Sequence, residues 1–209
     1  GLPPHKLTPM LGVNNAGSAD EPGPVGGMMN IRNTTEADDQ GIRQVHEAAF
    51  GPGVGRTIAD LAVALLHDTT ASPLISLLAY AESNPVGHVL FTRVSISGPE
   101  EPPVAHILAP LAVVPGRQRH GTGAQLVRRG LTVLAEAGCE LVFVLGHPEY
   151  YPRFGFQPAG RYGFYAPYPI PEKNANAWMV VELRPGAMEN SAGTVRCADS
   201  LNAPEHWRE

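Results

Sequence analysis

Apolar residues recur along the chain with two different periods, and the changes of period predict a mixed α/β fold. Ile42, Val45 and Phe50 recur at helical spacing, and a second helical stripe runs over Ile58–Leu66. The runs PLISLLAYAE and PVGHVLFTRVSIS predict two strands joined by a hairpin turn at Ser83–Asn84. The whole pattern predicts the order β-α-α-β-β-β-α-β-α-β-β in one domain.

The second half of the chain continues this alternation of strands and helices. VAHILAPLAVV predicts a strand, and its proline, Pro110, predicts an edge position or a bulge, because proline cannot donate to a strand ladder. Residues 121–138 predict an amphipathic helix that buries Leu126, Leu134 and Ala135 and ends at Gly138. LVFVL and AWMVVEL predict further strands, the first of them covered on both faces.

Composition changes along the chain and suggests where the folded domain lies. Residues 1–28 are rich in Gly, Pro and Asn and have no period, so they predict a flexible, disordered leader. The folded domain is predicted at 29–186, with a C-terminal extension at 187–209. The leader has no apolar segment typical of a signal peptide, so a cytoplasmic protein is expected.

Charge and cysteine content exclude several classes of function. The net charge of −5 argues against a general nucleic-acid binder, and no apolar run is long enough to span a membrane. Cys139 and Cys197 lie far apart, and the eight histidines never fall at metal-ligand spacing. No metal site, nucleic-acid partner or membrane partner is therefore expected.

The stretch VVPGRQRHGTGAQLVRRG lies where a predicted strand turns into a predicted helix, and its chemistry suits an anion. A helix N-terminus presents unpaired N–H groups, and glycines at 121 and 123 let a phosphate approach the backbone closely. Arg117, Arg119 and His120 add charge or donors nearby. A plain loop with solvated arginines is the alternative explanation.

The two common nucleotide motifs do not fit this stretch. Thr122 stands where a Walker loop needs lysine, and Leu126 replaces the third glycine of the dinucleotide fingerprint. In addition, no acidic residue ends the following strand, LVFVLG. A nucleotide-dependent oxidoreductase is therefore disfavoured.

The pattern Gln118-x-x-Gly121-x-Gly123-Ala124 resembles the coenzyme A pyrophosphate loop of the GNAT superfamily of N-acetyltransferases. Further along, Tyr151-Pro-Arg-Phe-Gly-Phe156 resembles the Tyr-x-x-x-Gly-Phe segment of the same superfamily. The runs LAPLAVVPGRQRHGTG, LGHPEYYPRFGFQPA and PGAMENSAGTVR resemble its bacterial YhbS-like group. The resemblance extends over roughly residues 28–200.

The resemblance implies a fold and an activity. The implied fold is the acyl-CoA N-acyltransferase fold: α/β, with a central mixed, mostly antiparallel sheet flanked by helices. The implied enzyme transfers an acetyl group from acetyl-CoA to a primary amine of a small molecule or protein, and acts as a monomer or homodimer. A non-catalytic sensor or regulatory module that only binds acyl-CoA is the alternative on the same fold.

The resemblance also assigns the donor site, which comprises Leu111, Ala112, Val113, Gln118, Arg119, His120, Gly121, Thr122, Gly123 and Ala124. The backbone of residues 111–113 would pair with pantetheine, and the Val113 N–H would polarise the thioester carbonyl. Backbone N–H groups of residues 119–124 would hold the pyrophosphate. In such enzymes the strand before the loop splays from its neighbour, and Pro110 is consistent with that break.

The resemblance implies a catalytic acid and leaves the base open. Tyr151 would protonate the departing thiolate, whereas Tyr150 is one residue out of register with the family segment. Glu82, His106, His147 and Glu149 are candidates for the base, and a chain of water molecules is an alternative to all of them. The candidates for the 3′-phosphate are Arg117, Arg119 and Arg128.

YAPYPIPEKNANAW suits either a wall of the acceptor pocket or an ordinary loop over the core.

Overall fold

The computed structural model describes residues 29–189 and 191–207, and the predicted leader, residues 1–28, lies outside the described residues. The long helices are α1 (Asp39–Phe50), α2 (Val54–Leu66) and α3 (Thr122–Glu136). The strands are β1 (Met29–Asn33), β2 (Ile75–Ala81), β3 (Asn84–Ser97), β4 (Ala105–Val113), β5 (Leu141–Leu145), β6 (Gln157–Pro158), β7 (Phe164–Tyr165), β8 (Trp178–Glu182) and β9 (Gly193–Arg196).

The strands form one mixed sheet in the order β1-β2-β3-β4-β5-β8-β6. All neighbours along this path are antiparallel except β4 and β5, which are parallel. The predicted mixed, mostly antiparallel sheet is therefore confirmed. The predicted strand at 141–145 has the observed bounds, and the predicted hairpin joins β2 to β3.

Helices cover both faces of the sheet. Ile42 and Val45 of α1 pack with Ala62 of α2 on one face, whereas Leu126 and Leu134 of α3 pack on the other. The prediction for α3 was wrong in one respect, because Ala135 is exposed to solvent. In the described part of the chain, we find no helix with the length and apolar content needed to cross a membrane.

The C-terminal segment is built into the same core as the rest of the described chain. The far end of β3 leaves β4 and pairs with β9, which also pairs with β7. Trp207 is buried and packs edge-on against Trp178, with 5.8 Å between ring centroids. The division of the chain at residue 186 stays a prediction, and the described residues beyond it share a core with those before it.

Pro110 lies at a bulge, on the stretch of β4 that pairs with β3 alone. β4 as a whole lies between β3 and β5, but its pairing with β5 ends at Ile107, so within the described residues Pro110 also has an unpaired edge on the β5 side. Val89 pairs with Leu111 and Phe91 pairs with Leu108, which leaves two β4 residues opposite Leu90. The proline therefore stands where the ladder is already interrupted, which is where a strand tolerates it.

Replacement by alanine is expected to change the stability of the protein in opposite directions at two helical glycines. A Cβ at Gly130 of α3 would overlap the ring of Phe91, which is fully buried on β3. A Cβ at Gly41 of α1 would meet only Pro85, at 3.6 Å. We expect Gly130→Ala to lower the free energy of unfolding by about 2–3 kcal/mol, because the overlap outweighs the gain in helix propensity.

Gly41→Ala is the matched control, and it should raise the free energy of unfolding by about 0.5–1 kcal/mol. Urea denaturation of both variants measures the difference. Equal changes in the two variants would show that α3 does not rest on Phe91 as described.

Candidate active site

The parallel strands β4 and β5 pair at one end and separate at the other. Their register runs from Ala105 opposite Leu141 to Ile107 opposite Phe143. Beyond that point, within the described residues, the rest of β4 pairs with β3 alone and the rest of β5 with β8 alone. The two strand ends therefore leave a wedge-shaped opening in the middle of the sheet.

The backbone of β4 borders this opening at alternate residues. The Val114 N–H donates to the Val86 carbonyl on β3 at 2.9 Å. Because backbone groups alternate in direction along an antiparallel strand, those of Ala112 also face β3. Those of Leu111 and Val113 face the opening. The backbone of β4 thus presents two of its three predicted donor-site residues to the gap.

The loop between β4 and α3 ends in a helix N-terminus without a side-chain cap. Arg119 has φ 63° and Gly121 has φ 79°, so two residues of the loop adopt left-handed backbone conformations. The first helical bond runs from the Gln125 N–H to the Gly121 carbonyl. No described residue accepts a hydrogen bond from the N–H groups of residues 119–124. Such successive N–H groups form a concave site suited to an anion.

Gln118, the first residue of the predicted motif, ties this loop to β4. Its side-chain amide Nε2 donates to the Val113 carbonyl at 3.0 Å. The side chain of Gln118 therefore points at the end of β4, and it links that strand to the loop that precedes α3. Sequence reasoning assigned Gln118 to the donor site without this partner.

The cationic side chains near the loop differ in their surroundings. Arg119 and His120 are exposed, and Arg117 is half-buried. The Arg128 guanidinium lies over the ring of Phe154, 5.2 Å from its centroid. This contact joins α3 to the segment that carries Tyr151.

Tyr151 is fully buried, on the same face of the sheet as α3. It begins a short 3-10 helix, Tyr151–Phe154, and its ring packs edge-on against Phe156. Among the described residues no group hydrogen-bonds its hydroxyl. Burial, helped by the neighbouring Tyr150, raises the pKa of Tyr151 well above its ordinary value. The hydroxyl therefore keeps its proton and has no acceptor for it within the described chain.

A chain of buried polar side chains lies on the opposite face of the sheet, and sequence reasoning missed it. His46 Nε2 and His88 Nδ1 share a hydrogen bond of 2.8 Å, and His88 Nε2 shares another of 2.8 Å with Ser76 Oγ. Burial lowers the pKa of His88 to about 3, and burial together with His88 lowers the pKa of His46. Both imidazoles are therefore neutral at physiological pH.

The four candidate bases lie at different ends of the sheet. His147 and Glu149 follow β5 at the open end, and Glu82 lies in the β2–β3 turn at the same end. His106 lies where β4 and β5 are paired, and its Nε2 donates to the Pro73 carbonyl at 2.8 Å. Burial lowers the pKa of His147. The geometry therefore excludes His106 from the opening and brings the other three toward it.

The segment 165–178 contacts the core, and its role as a wall of the acceptor pocket stays a prediction. Tyr168 donates to the Asn202 carbonyl at 2.7 Å, and the Trp178 indole donates to the Phe164 carbonyl at 3.1 Å. Ile170 packs against the core, whereas Tyr165 is 65% exposed. Part of this loop therefore covers the core, and the ring of Tyr165 faces solvent.

Comparison with known proteins identifies the fold and the family. Residues 30–159 match the model of the acetyltransferase (GNAT) domain. The uncharacterized N-acetyltransferase YjhQ of Escherichia coli K12 is 48% identical over 167 residues, which are 79% of this chain and 90% of that protein. The uncharacterized N-acetyltransferase YhbS of the same strain is 31% identical over 147 residues, 69% of this chain and 85% of that protein.

Two solved structures share the architecture. The structure of Escherichia coli YhbS in complex with CoA superposes with a TM-score of 0.75 at 26% identity, over 87% of this chain and 96% of that chain. A GNAT acetyltransferase from Brucella melitensis in complex with acetyl-CoA gives 0.66 at 29% identity, over 84% and 99%. This chain belongs to the GNAT acetyltransferase family, in the group that includes YhbS and YjhQ.

Proposed function

We propose that this acetyltransferase uses acetyl-CoA as its donor and a primary amine of a small molecule or protein as its acceptor. The observation that carries the proposal is the combination of an opening between β4 and β5 with an uncapped helix N-terminus beside it. One feature suits an extended pantetheine arm, and the other suits the pyrophosphate to which that arm is attached. YhbS and the Brucella melitensis protein were solved with CoA and acetyl-CoA respectively.

The donor is proposed to bind along the loop and the strand. Backbone N–H groups of residues 119–124 hold the pyrophosphate, with Gly121 and Gly123 leaving room for its oxygens. Pantetheine then runs into the opening and pairs with Leu111 and Val113. Ala112 contributes by holding β4 to β3, since its own backbone groups face that strand. Arg117, Arg119 and Arg128 remain the candidates for the 3′-phosphate.

Acetyl transfer is proposed to occur at the end of β4. The amine nitrogen attacks the thioester carbon, and the Val113 N–H stabilises the oxyanion that forms. The C–S bond then breaks, and Tyr151 donates its proton to the sulfur as negative charge develops there. Burial disfavours a thiolate for the same reason that it disfavours a phenolate, so the raised pKa of Tyr151 does not oppose this role. The amine loses its own proton to water or to a base that we leave unassigned.

Calorimetric titration of the purified protein with acetyl-CoA, with NAD as the control ligand, tests the donor. We expect saturable binding of acetyl-CoA and no binding of NAD. Release of free thiol in the presence of a panel of primary amines then tests transfer. No heat at millimolar acetyl-CoA would contradict the proposal. Binding with no thiol release for any amine in the panel would favour the sensor alternative.

A further inference from the structure

Gly87 of β3 lies under the first turn of α3 at very short range. A Cβ built on it would stand 2.9 Å from Leu126 Cδ1, 3.1 Å from Thr122 Cγ2 and 3.4 Å from the Ala112 carbonyl oxygen. Thr122 is the first residue of α3 and is itself buried. The helix N-terminus therefore rests so close to the sheet that a side chain at position 87 would have to displace neighbouring atoms of α3.

The two contacts would respond differently to an added methyl group. Leu126 can rotate the end of its side chain away. The Thr122 methyl is attached directly to Cβ, and the χ1 angle of a β-branched residue is restricted in a helix. Thr122 can yield by turning about χ1, which takes the methyl out of its rotamer well, or by an outward shift of the first turn, and the second response displaces the N–H groups of the helix N-terminus.

Gly87 also lies at the strand end where the thioester is proposed to bind. It pairs with Val113 in the β3–β4 register. Gly87 thus contacts the first turn of α3 and also lies opposite Val113. Under the proposed function, the first turn binds the pyrophosphate and Val113 contacts the thioester. A pantetheine arm that pairs with β4 is extended and has a limited reach, so the spacing between these two ends decides whether both can be occupied together.

We propose that Gly87 is a positioning residue that sets the distance between the pyrophosphate site on α3 and the thioester site on β4. The inference rests on the proposed function, because both ends of the spacing are ends of the bound donor. It predicts a selective defect. A donor fragment that lacks the pyrophosphate is insensitive to the depth of α3, whereas intact CoA is not.

The test compares Gly87→Ala with the wild-type protein for two ligands, CoA and pantetheine. Calorimetry measures CoA affinity, and a protein NMR titration measures the weaker affinity for pantetheine. We expect Gly87→Ala to weaken CoA binding at least about tenfold and to change pantetheine binding less than about twofold. The double variant Gly87→Ala/Thr122→Ser removes the Thr122 methyl, and it should recover most of the CoA affinity.

Gly116→Ala is the matched control, since a Cβ there would meet nothing within 4 Å. It should leave both affinities unchanged. Unchanged CoA affinity in Gly87→Ala, equal loss for both ligands, or no recovery in the double variant would overturn the inference. If Gly87→Ala does not fold, the double variant decides: CoA binding close to that of the wild type supports the inference, and an equal loss for both ligands overturns it. A wild-type protein that binds no CoA would overturn the proposed function, and this inference with it.

Discussion

Replacing Tyr151 by phenylalanine is expected to lower the rate of acetyl transfer by about 100-fold or more, the usual contribution of a positioned proton donor. The substitution removes only the hydroxyl, which no described group hydrogen-bonds and which burial keeps protonated. Without that proton, the thiolate must leave as an uncompensated charge in a buried site. CoA affinity should stay within about twofold, because the hydroxyl acts on the leaving sulfur and not on the ground state.

The same substitution should make the protein more stable. A buried hydroxyl without a partner costs roughly 1–3 kcal/mol of desolvation, so phenylalanine at position 151 should raise the free energy of unfolding by about 1 kcal/mol. Urea denaturation and a thiol-release assay measure the two effects separately. A variant that gains stability while losing turnover cannot be explained by damage to the fold.

Tyr150→Phe is the control for this assignment. It lies beside Tyr151, with 5.1 Å between the ring centroids, but it is outside the family register. We expect turnover within a few-fold of the wild type. Turnover lost in Tyr150→Phe and kept in Tyr151→Phe would transfer the role of acid to Tyr150.

Acid is expected to destabilise the protein well above the pH at which carboxylates titrate, because of the buried His46–His88 pair. In the unfolded chain both imidazoles bind protons near their ordinary pKa of about 6.5. In the folded chain burial lowers the pKa of His88 to about 3 and lowers that of His46 as well. The unfolded state therefore binds more protons below pH 6.5, and stability falls as the pH falls.

The expected loss is large for a domain of this size. At pH 5, about 1.5 units below the ordinary pKa, a histidine that stays neutral costs about 2 kcal/mol, as His88 does with its pKa of about 3, and the buried His46 adds to this loss. Denaturation at a series of pH values measures this. Burial lowers the pKa of His106, His147 and His206 too, and these residues add to the same trend. The depressed pKa values of Asp38 and Asp68 act only at lower pH.

Single substitutions test whether the loss of stability in acid comes from the His46–His88 pair. His88→Gln should reduce the pH dependence between pH 6.5 and 5 by about one proton, since glutamine does not titrate. His67→Gln is the control. His67 is exposed and paired with Asp39, which raises its pKa, so its contribution has the opposite sign. Imidazole NMR signals of His46 and His88 that titrate near pH 6.5 in the folded protein would contradict the account.

Local pattern was enough to predict most elements of the fold. The apolar run LVFVL matches β5 residue for residue, and the helical period over 121–138 matches α3 to within two residues at its end. These elements follow from spacing along the chain, which a sequence displays directly. Pro110 indicated a broken ladder but could not indicate whether β4 was an edge strand, because that depends on which strands pair.

The phosphate-binding part of the proposed donor site is visible in the sequence because its residues are contiguous. The loop that we propose to bind the pyrophosphate comprises seven successive positions, Gln118–Ala124, so a short motif contains all of it. Pairing across the sheet is different. His46 and His88 are 42 residues apart and meet only because α1 packs on β3. No spacing rule links them, and neither histidine stands in a motif.

The same limit applies to the contacts that hold the site in shape. The bond from Gln118 to the Val113 carbonyl and the contact of Gly87 with Thr122 both depend on how β3, β4 and α3 fit together. From sequence alone, Gln118 was a motif residue and Gly87 was an unremarked residue in a strand. In three dimensions, Gln118 ties the loop to β4, and Gly87 lies against the first residue of α3.

The central claim is that acetyl-CoA lies along the α3 N-terminus and enters the opening between β4 and β5. The most direct test is an NMR titration of isotope-labelled protein with acetyl-CoA, followed at the backbone amides. The account predicts saturable shifts at Thr122–Ala124 and at Val113, with little change at the closed end of the sheet around Ala105. Saturable binding that shifts other amides and leaves these unchanged would contradict it.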